Sequence, residues 1–206
     1  MNSSLQDVYN QFANTYEQNR GQFDMTEVLE SFLSQFKGTP GKLLDLGCGA
    51  GEPLARFFID NGWSVTGVDF SEQMLELAKK YVPEMSSIHS DIRQVDFADG
   101  EFAAITASYS LFHIPASDHG VMFNKFFRWL QPGGKALFTY ATSEYTGKEE
   151  FEGYKEFMDQ QLFYSHKNIE DLNDDLSRAG FYINAKDYRT IGGETFLWLT
   201  VSRPQE

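Results

Sequence analysis

Apolar runs and helical patterns alternate along most of the chain. Residues 5–36 read as two helices broken near Asn19-Arg20-Gly21. Leu43-Leu44-Asp45-Leu46 is a short apolar run bounded by Gly41 and Gly47, the pattern of a buried strand. Residues 52–61 read as a helix with Leu54, Phe57 and Phe58 on one side, and 64–69 as a second strand. Ser71 is a good N-cap for a helix over 72–81, where Met74, Ala78 and Tyr81 share a face. Residues 87–90 and 102–107 predict a third and a fourth strand. Pro115 opens a helix whose inner stripe holds Met122, Phe126, Trp129 and Leu130, and Pro132-Gly133-Gly134 is expected to stop it. A fifth strand follows over 135–141, then an amphipathic helix over 168–178 closed by Gly180. Two last strands, 181–188 and 195–202, meet around Gly192-Gly193.

Strand–helix alternation predicts an α/β fold whose parallel sheet is covered on both faces. The turn between the last two strands is too short for a crossover, so they must pair antiparallel. The expectation is a doubly wound, mostly parallel seven-stranded sheet ending in a hairpin, one domain spanning residues 1–206.

Composition narrows the function. Lys and Arg total 17 against 30 Asp and Glu, a net charge of −13, which argues against a nucleic-acid partner. With 41% hydrophobic and 16% aromatic residues, the chain can build a sizeable core. Cys48 is the single cysteine, so neither an intramolecular disulfide nor a multi-cysteine metal cluster is available. The four histidines lack metal-ligand spacing, and no metal is expected. The opening residues carry no secretory pattern, and no apolar run approaches the ~20 residues of a membrane span. A soluble, cytoplasmic protein without a membrane partner is the expectation.

Gly47-Cys48-Gly49-Ala50-Gly51 sits where the first strand meets the first helix after it, the place where open α/β sheets bind ligands. Glycines at alternate positions let backbone turn tightly and approach a ligand closely. Glu52 occupies the position of the third glycine of a dinucleotide fingerprint, where a carboxylate would repel a pyrophosphate. The loop therefore suits a nucleoside without phosphates, or else serves as a plain strand–turn–helix. Asp69 ends the second strand 18 residues after Gly51 and can accept from both hydroxyls of a ribose, or simply cap the next helix. Asp91, after the third strand, can accept from an exocyclic purine amine with Ile92 against the ring, or be an ordinary loop residue. All three elements stand at strand ends, in the right order.

On these residues the chain resembles the class I S-adenosylmethionine-dependent methyltransferases. The matching stretches are 43–53, 65–81, 89–97, 102–115 and 130–140, with Val68-Asp69-Phe70-Ser71 and Leu130-Gln131-Pro132-Gly133-Gly134 supporting the glycine loop. Ala103 departs mildly, since many relatives have Asp there. The resemblance implies a Rossmann-like core over 40–141, an N-terminal helical lid over 1–38, a substrate cap over 142–167 and a closing helix and hairpin over 168–206. It also implies site residues. The backbone of Gly47, Cys48, Gly49 and Gly51 would bind the methionine end of S-adenosylmethionine, with Asp45 holding the loop and the amino group. Asp69 would bind the ribose. Phe70 and Met74 would flank the adenine, Asp91 and Ile92 completing that pocket. Ala107, Ser108 and Tyr109 would lie beside the sulfonium. Tyr9 and Tyr16, in the lid, would reach the cofactor carboxylate.

Candidate acceptor-facing groups follow the fourth and fifth strands and the 142–167 segment: Tyr109, His113, Tyr140, Tyr145, Tyr164 and His166. Tyr109 and His113 are the candidate catalytic pair, His113 as base or orienting group at the rim, or instead as a capping or packed histidine. His89 reads as structural, and His119 as lying on the outer face of its helix. Cys48 has no paired base and reads as a small packed residue. Residues 144–175 hold ten acidic and three basic residues. They read as a solvated helical face or as an acidic cap that steers a cationic acceptor. The interleaved Phe151, Tyr154, Phe157, Phe163 and Tyr164 stand mostly at helical spacing. The expected activity is methyl transfer to a small-molecule acceptor. The alternatives are methylation of a protein, cofactor binding without catalysis, and aminopropyl transfer. Oligomeric state is not legible.

Overall fold

The structure, a computed structural model, describes residues 5–19, 21, 23–157 and 159–205. The chain gathers into two compact units, residues 1–95 and 96–206. In the first unit the order is α1 (Leu5–Asn19), α2 (Thr26–Leu33) with a 3-10 turn over Ser34–Phe36, β1 (Lys42–Leu46), α3 (Leu54–Asp60), β2 (Ser64–Asp69), α4 (Glu72–Tyr81) and β3 (Ser86–His89). The second unit runs β4 (Phe102–Ala107), a 3-10 turn over Leu111–His113, α5 (Ala116–Trp129), β5 (Leu130–Tyr140) and α6 (Ser143–Thr146). It continues through β6 (Phe151–Phe157), β7 (Gln160–His166), α7 (Ile169–Arg178), β8 (Tyr182–Ile191) and β9 (Glu194–Ser202). Seven strands form one sheet in the order β3-β2-β1-β4-β5-β9-β8, and β6 with β7 forms a separate hairpin. The large sheet is mostly parallel, with β9 running antiparallel to both β5 and β8.

Within the first unit, Leu43, Leu44 and Leu46 of β1 are fully buried, as a strand covered on both faces requires. Phe58 of α3 meets Phe32 of α2 and Trp63 edge-on, with ring centroids 6.1 and 5.5 Å apart. Full burial of a side chain the size of Phe58 contributes roughly 1.5–3 kcal/mol. Ala55 rather than Phe57 completes the buried stripe of α3, Phe57 remaining part-exposed. Ser71 caps α4 by accepting from the Met74 N–H at 3.2 Å.

Helix α1 packs where β2 gives way to α4. Gln6 donates to the Phe70 carbonyl at 2.7 Å, the Ser71 hydroxyl donates to Asn10 Oδ1 at 2.7 Å, and the Tyr9 ring meets Phe70 edge-on at 5.5 Å. The rings of Tyr16 and Tyr81 approach to 5.6 Å.

In the second unit, Trp129 is fully buried against Phe97, and its indole N–H donates to Asp96 at 3.1 Å. Helix α5 ends at Trp129 without help from glycine. Leu130 is already strand, paired with Phe102, and Pro132-Gly133-Gly134 forms a bulge inside β5 before Lys135 pairs with Ala104. The expected helix stop is thus a strand irregularity. The 142–167 segment also differs from expectation: its aromatics stand on the β6–β7 hairpin, not on a helix. Phe151, Gly153, Lys155 and Phe157 point to the more covered side of β6, and Tyr154 to solvent. The β8–β9 hairpin turns on Gly192 and Gly193, whose positive φ values of 64° and 85° suit a tight two-residue loop.

Candidate functional site

The glycine loop is fixed by its backbone. Gly47, Gly49 and Gly51 adopt φ of +78°, +52° and +80°, a region that side-chain-bearing residues rarely enter. The N–H groups of Gly47 and Cys48 both donate to the Val68 carbonyl, at 2.7 and 3.1 Å, tying the loop to β2. Asp69 faces this loop. Its Oδ2 accepts from the Gly49 N–H and its Oδ1 from the Ser71 N–H, each at 2.8 Å. A carboxylate offers about four lone-pair positions, so two such bonds leave it able to accept two hydroxyls. Burial raises the Asp69 carboxyl above its ordinary range, opposed by the bonds from Ser71 and Gly49 and by His89. On the Cβ side of Gly49 nothing among the described residues lies within 4 Å, so backbone there is open to a ligand.

Asp45 is buried at the end of β1. Cys48 is buried as well. Burial first, then the charges of Asp69 and Asp45, push its thiol well up, so it is a packed, unreactive group. It fills the space opposite Gly67, where a Cβ would come within 2.7 Å of the Cys48 sulfur.

Met74 and Ile92 are buried and Phe70 is part-buried under Tyr9, consistent with an apolar wall. Asp91 engages Arg93, two residues on. Its Oδ1 accepts from the Arg93 backbone at 2.8 Å, and Oδ2 pairs with the Arg93 guanidinium at 2.6 Å. The Tyr16 hydroxyl donates to Glu52 Oε2 at 3.2 Å. His89 contacts the Phe70 carbonyl through Nε2 at 3.0 Å, the structural role expected of it.

In the second unit, Tyr109 follows β4 with φ of +55°, unusual for a tyrosine, and its N–H donates to Thr139 Oγ1 at 2.6 Å. That bond holds the turn and sets the ring edge-on to Phe196 and Trp198, at 5.6 and 5.7 Å. Burial, then the charge of Glu194, push the Tyr109 phenol up, so it stays protonated. His113 Nδ1 lies 2.7 Å from the Phe163 carbonyl, which can only accept, so Nδ1 carries the proton. Burial lowers the His113 imidazole to about 4, opposed by that bond.

Tyr164 is buried beside Phe112, His113 and Tyr145. His166 is buried, with Nε2 2.7 Å from Thr146 Oγ1. Tyr140 is fully buried: its hydroxyl accepts from the Lys167 N–H at 3.1 Å and donates to His119 Nδ1 at 2.9 Å. This corrects the reading of His119 as an outer-face residue. His119 is fully buried, on the same stripe as Met122, Phe126 and Trp129. Its Nε2–H is left to reach the Ile114 carbonyl and Ser165 Oγ, each at 3.3 Å. Burial lowers this imidazole to about 4.

The sequence reading missed Phe112, Glu194, Phe196 and Trp198. Phe112 stacks on Phe196 at 4.8 Å, and Glu194 accepts from the Tyr145 hydroxyl at 2.8 Å. Their signal is the alternation Glu194, Phe196, Trp198, which sets all three on one face of β9.

Residues 43–134 match the family model described as a methyltransferase domain. The demethylmenaquinone methyltransferase of Chlamydia pneumoniae is 30% identical over 190 residues, covering 81% of each chain. A phosphoethanolamine N-methyltransferase of Triticum aestivum is 30% identical over 172 residues, which are 80% of this chain but only 32% of that protein. The chain thus spans about a third of the wheat enzyme it matches. The solved 1,6-didemethyltoxoflavin-N1-methyltransferase of Burkholderia thailandensis, with S-adenosylhomocysteine bound, shares the fold at a TM-score of 0.71 and 18% identity, over 96% of this chain and 88% of that one. With its glycine loop, its strand-end aspartate and its sheet order, the chain belongs to the class I S-adenosylmethionine-dependent methyltransferases.

Proposed function

We propose that this chain moves a methyl group from S-adenosylmethionine to a small-molecule acceptor. When bound, the cofactor supplies a methyl carbon already activated by positive sulfur. The protein has to position an incoming nucleophile about 3–3.5 Å from that carbon and exclude water. Asp69 and the open backbone at Gly49 hold the nucleoside and its amino-acid end, with Asp45 behind the loop. Phe70, Met74 and Ile92 flank the base. Asp91 receives the exocyclic amine in exchange for part of its hold on Arg93. Helix α1 is the lid, and Tyr16 turns from Glu52 to the cofactor carboxylate.

Tyr109, His113 and Tyr164 hold the acceptor, with Ala107 and Ser108 beside the reacting centre. A histidine lowered to about 4 is neutral at pH 7 and a weak base. Its role is therefore to accept a hydrogen bond from the nucleophile and orient it. Tyr140 and His166 shape the cap from within, since their polar atoms already serve His119, Lys167 and Thr146.

The single observation that carries this reading is Asp69, aimed at the glycine loop with acceptor capacity to spare. Small acceptors also appear in the names of the relatives from Chlamydia pneumoniae and Triticum aestivum. Incubation with methyl-labelled S-adenosylmethionine and either a metabolite extract or a protein extract tests it. Label is expected in the metabolite fraction. Label in protein alone would establish the protein-methylating alternative. Cofactor binding with no label anywhere would leave a non-catalytic binding protein.

A further inference from the structure

Trp198 is 3% exposed, and its indole nitrogen is fully covered yet has no hydrogen-bond partner among the described residues. The hydroxyl of Ser108 is in the same position. Buried donors are nearly always paired, because an unmade bond forfeits the hydration the group had in water. Trp129 shows the ordinary outcome in this chain, its indole N–H resting on Asp96.

The two unpaired groups share a neighbourhood. Tyr109 follows Ser108 directly, and its ring meets Trp198 at 5.7 Å. The Tyr109 N–H is anchored on Thr139, the cross-strand partner of Trp198. Thr139 lies near the carboxyl end of β5 and Ser108 just past that of β4, where ligands of open α/β sheets bind. Flat rings surround this place: Tyr109, Phe112, Phe196 and Trp198. Glu194 puts a negative charge within reach of Tyr109.

Resting on the methyltransferase reading above, we infer that Trp198 is a specificity-determining residue for the methyl acceptor. Its indole N–H donates to a carbonyl oxygen of a planar, unsaturated acceptor that wedges aside the groups now covering it, with the Ser108 hydroxyl as a second polar contact. An indole can only donate, so the acceptor must offer a lone pair there. The ring walls select a flat molecule. The charge of Glu194 selects against an anionic one.

Two para-substituted phenols of the same outline, hydroxyacetophenone and ethylphenol, differ by that one carbonyl oxygen. Both are titrated into the S-adenosylhomocysteine-saturated chain labelled with nitrogen-15 at tryptophan. The three indole signals are assigned with Trp198→Phe and the remaining pair. Hydroxyacetophenone is expected to move the Trp198 N–H signal downfield and to bind about fivefold more weakly to Trp198→Phe, the scale of one neutral hydrogen bond. Ethylphenol should do neither. The wild-type signal decides the matter even if Trp198→Phe folds poorly. An indole proton shifted upfield against the Tyr109 ring and indifferent to both phenols would overturn the inference. So would equal binding of the two phenols in the presence of bound S-adenosylhomocysteine. Failure of S-adenosylhomocysteine itself to bind would instead overturn the methyltransferase reading, and the acceptor site with it.

Discussion

The backbone N–H of Gly49 and the carboxylate of Asp69 lie 2.8 Å apart, joining the glycine loop after β1 to the end of β2. One bond thereby sets both the path of the loop and the direction of the acid. Asp69→Ala should weaken S-adenosylhomocysteine binding by about 1–3 kcal/mol, the scale for stranding polar partners. Asp69→Asn should fall between, since its amide keeps one accepting oxygen. Calorimetric titration measures both, and unchanged affinity in a folded Asp69→Ala variant would contradict the ribose assignment.

Two glycines separate ligand space from packing space. Gly49→Ala meets no atom of the described residues within 4 Å, so the fold should lose only the left-handed backbone penalty, about 1–2 kcal/mol. Its loss of cofactor affinity should be larger, because the new methyl occupies the ligand's side of the loop. Gly67→Ala puts a methyl 2.7 Å from the sulfurs of both Cys48 and Met85, so it should destabilise the fold by about 1–3 kcal/mol through overpacking. Thermal unfolding and calorimetry on both variants check the contrast. Equal behaviour in both measurements would contradict it.

Stability should fall on mild acidification. His119 sits neutral at about 4 in the fold against an ordinary 6.5. A lowered folded value means that the unfolded chain takes up the proton more readily. The contribution is therefore fully present above pH 6.5 and lost as pH falls from there to about 4. Its full size is about 3 kcal/mol. His119→Gln removes the titrating group, so its stability should decline less between pH 7 and pH 4 than that of the wild type. Parallel denaturation profiles would show that His119 is not the group responsible.

His113→Ala should leave S-adenosylhomocysteine affinity within about twofold and lower kcat about ten- to a hundredfold, as expected for loss of an orienting contact. The wild-type rate should show no inflection near pH 6.5, since His113 is already neutral there. Loss of cofactor affinity without a rate defect would move His113 out of the acceptor site.

The central strands were legible because they are continuous apolar runs, and β2 and β4 match the expected bounds. Asp69 was legible because its place at a strand end follows from that pattern alone. The β6–β7 hairpin was not. Phe151, Tyr154 and Phe157 recur every three residues, which imitates a helix. The true two-residue alternation is hidden by Gly153 and Lys155 at covered positions. His119 was misplaced although it keeps step with Met122, Phe126 and Trp129, because its partner Tyr140 stands 21 residues away on another element. The engagement of Asp91 by Arg93 is likewise invisible to spacing, since it depends on how the turn after β3 folds back. Trp198 escaped notice because an apolar strand reads as core whether or not one of its rings carries an unpaired donor.

The most direct measurement is a crystal structure of the chain with S-adenosylhomocysteine. The account predicts both ribose hydroxyls within hydrogen-bond distance of Asp69, and the amino-acid end of the ligand along Gly47–Gly49. A ribose bound elsewhere, with Asp69 still bonded to Gly49 and Ser71 and not to the ligand, would contradict it.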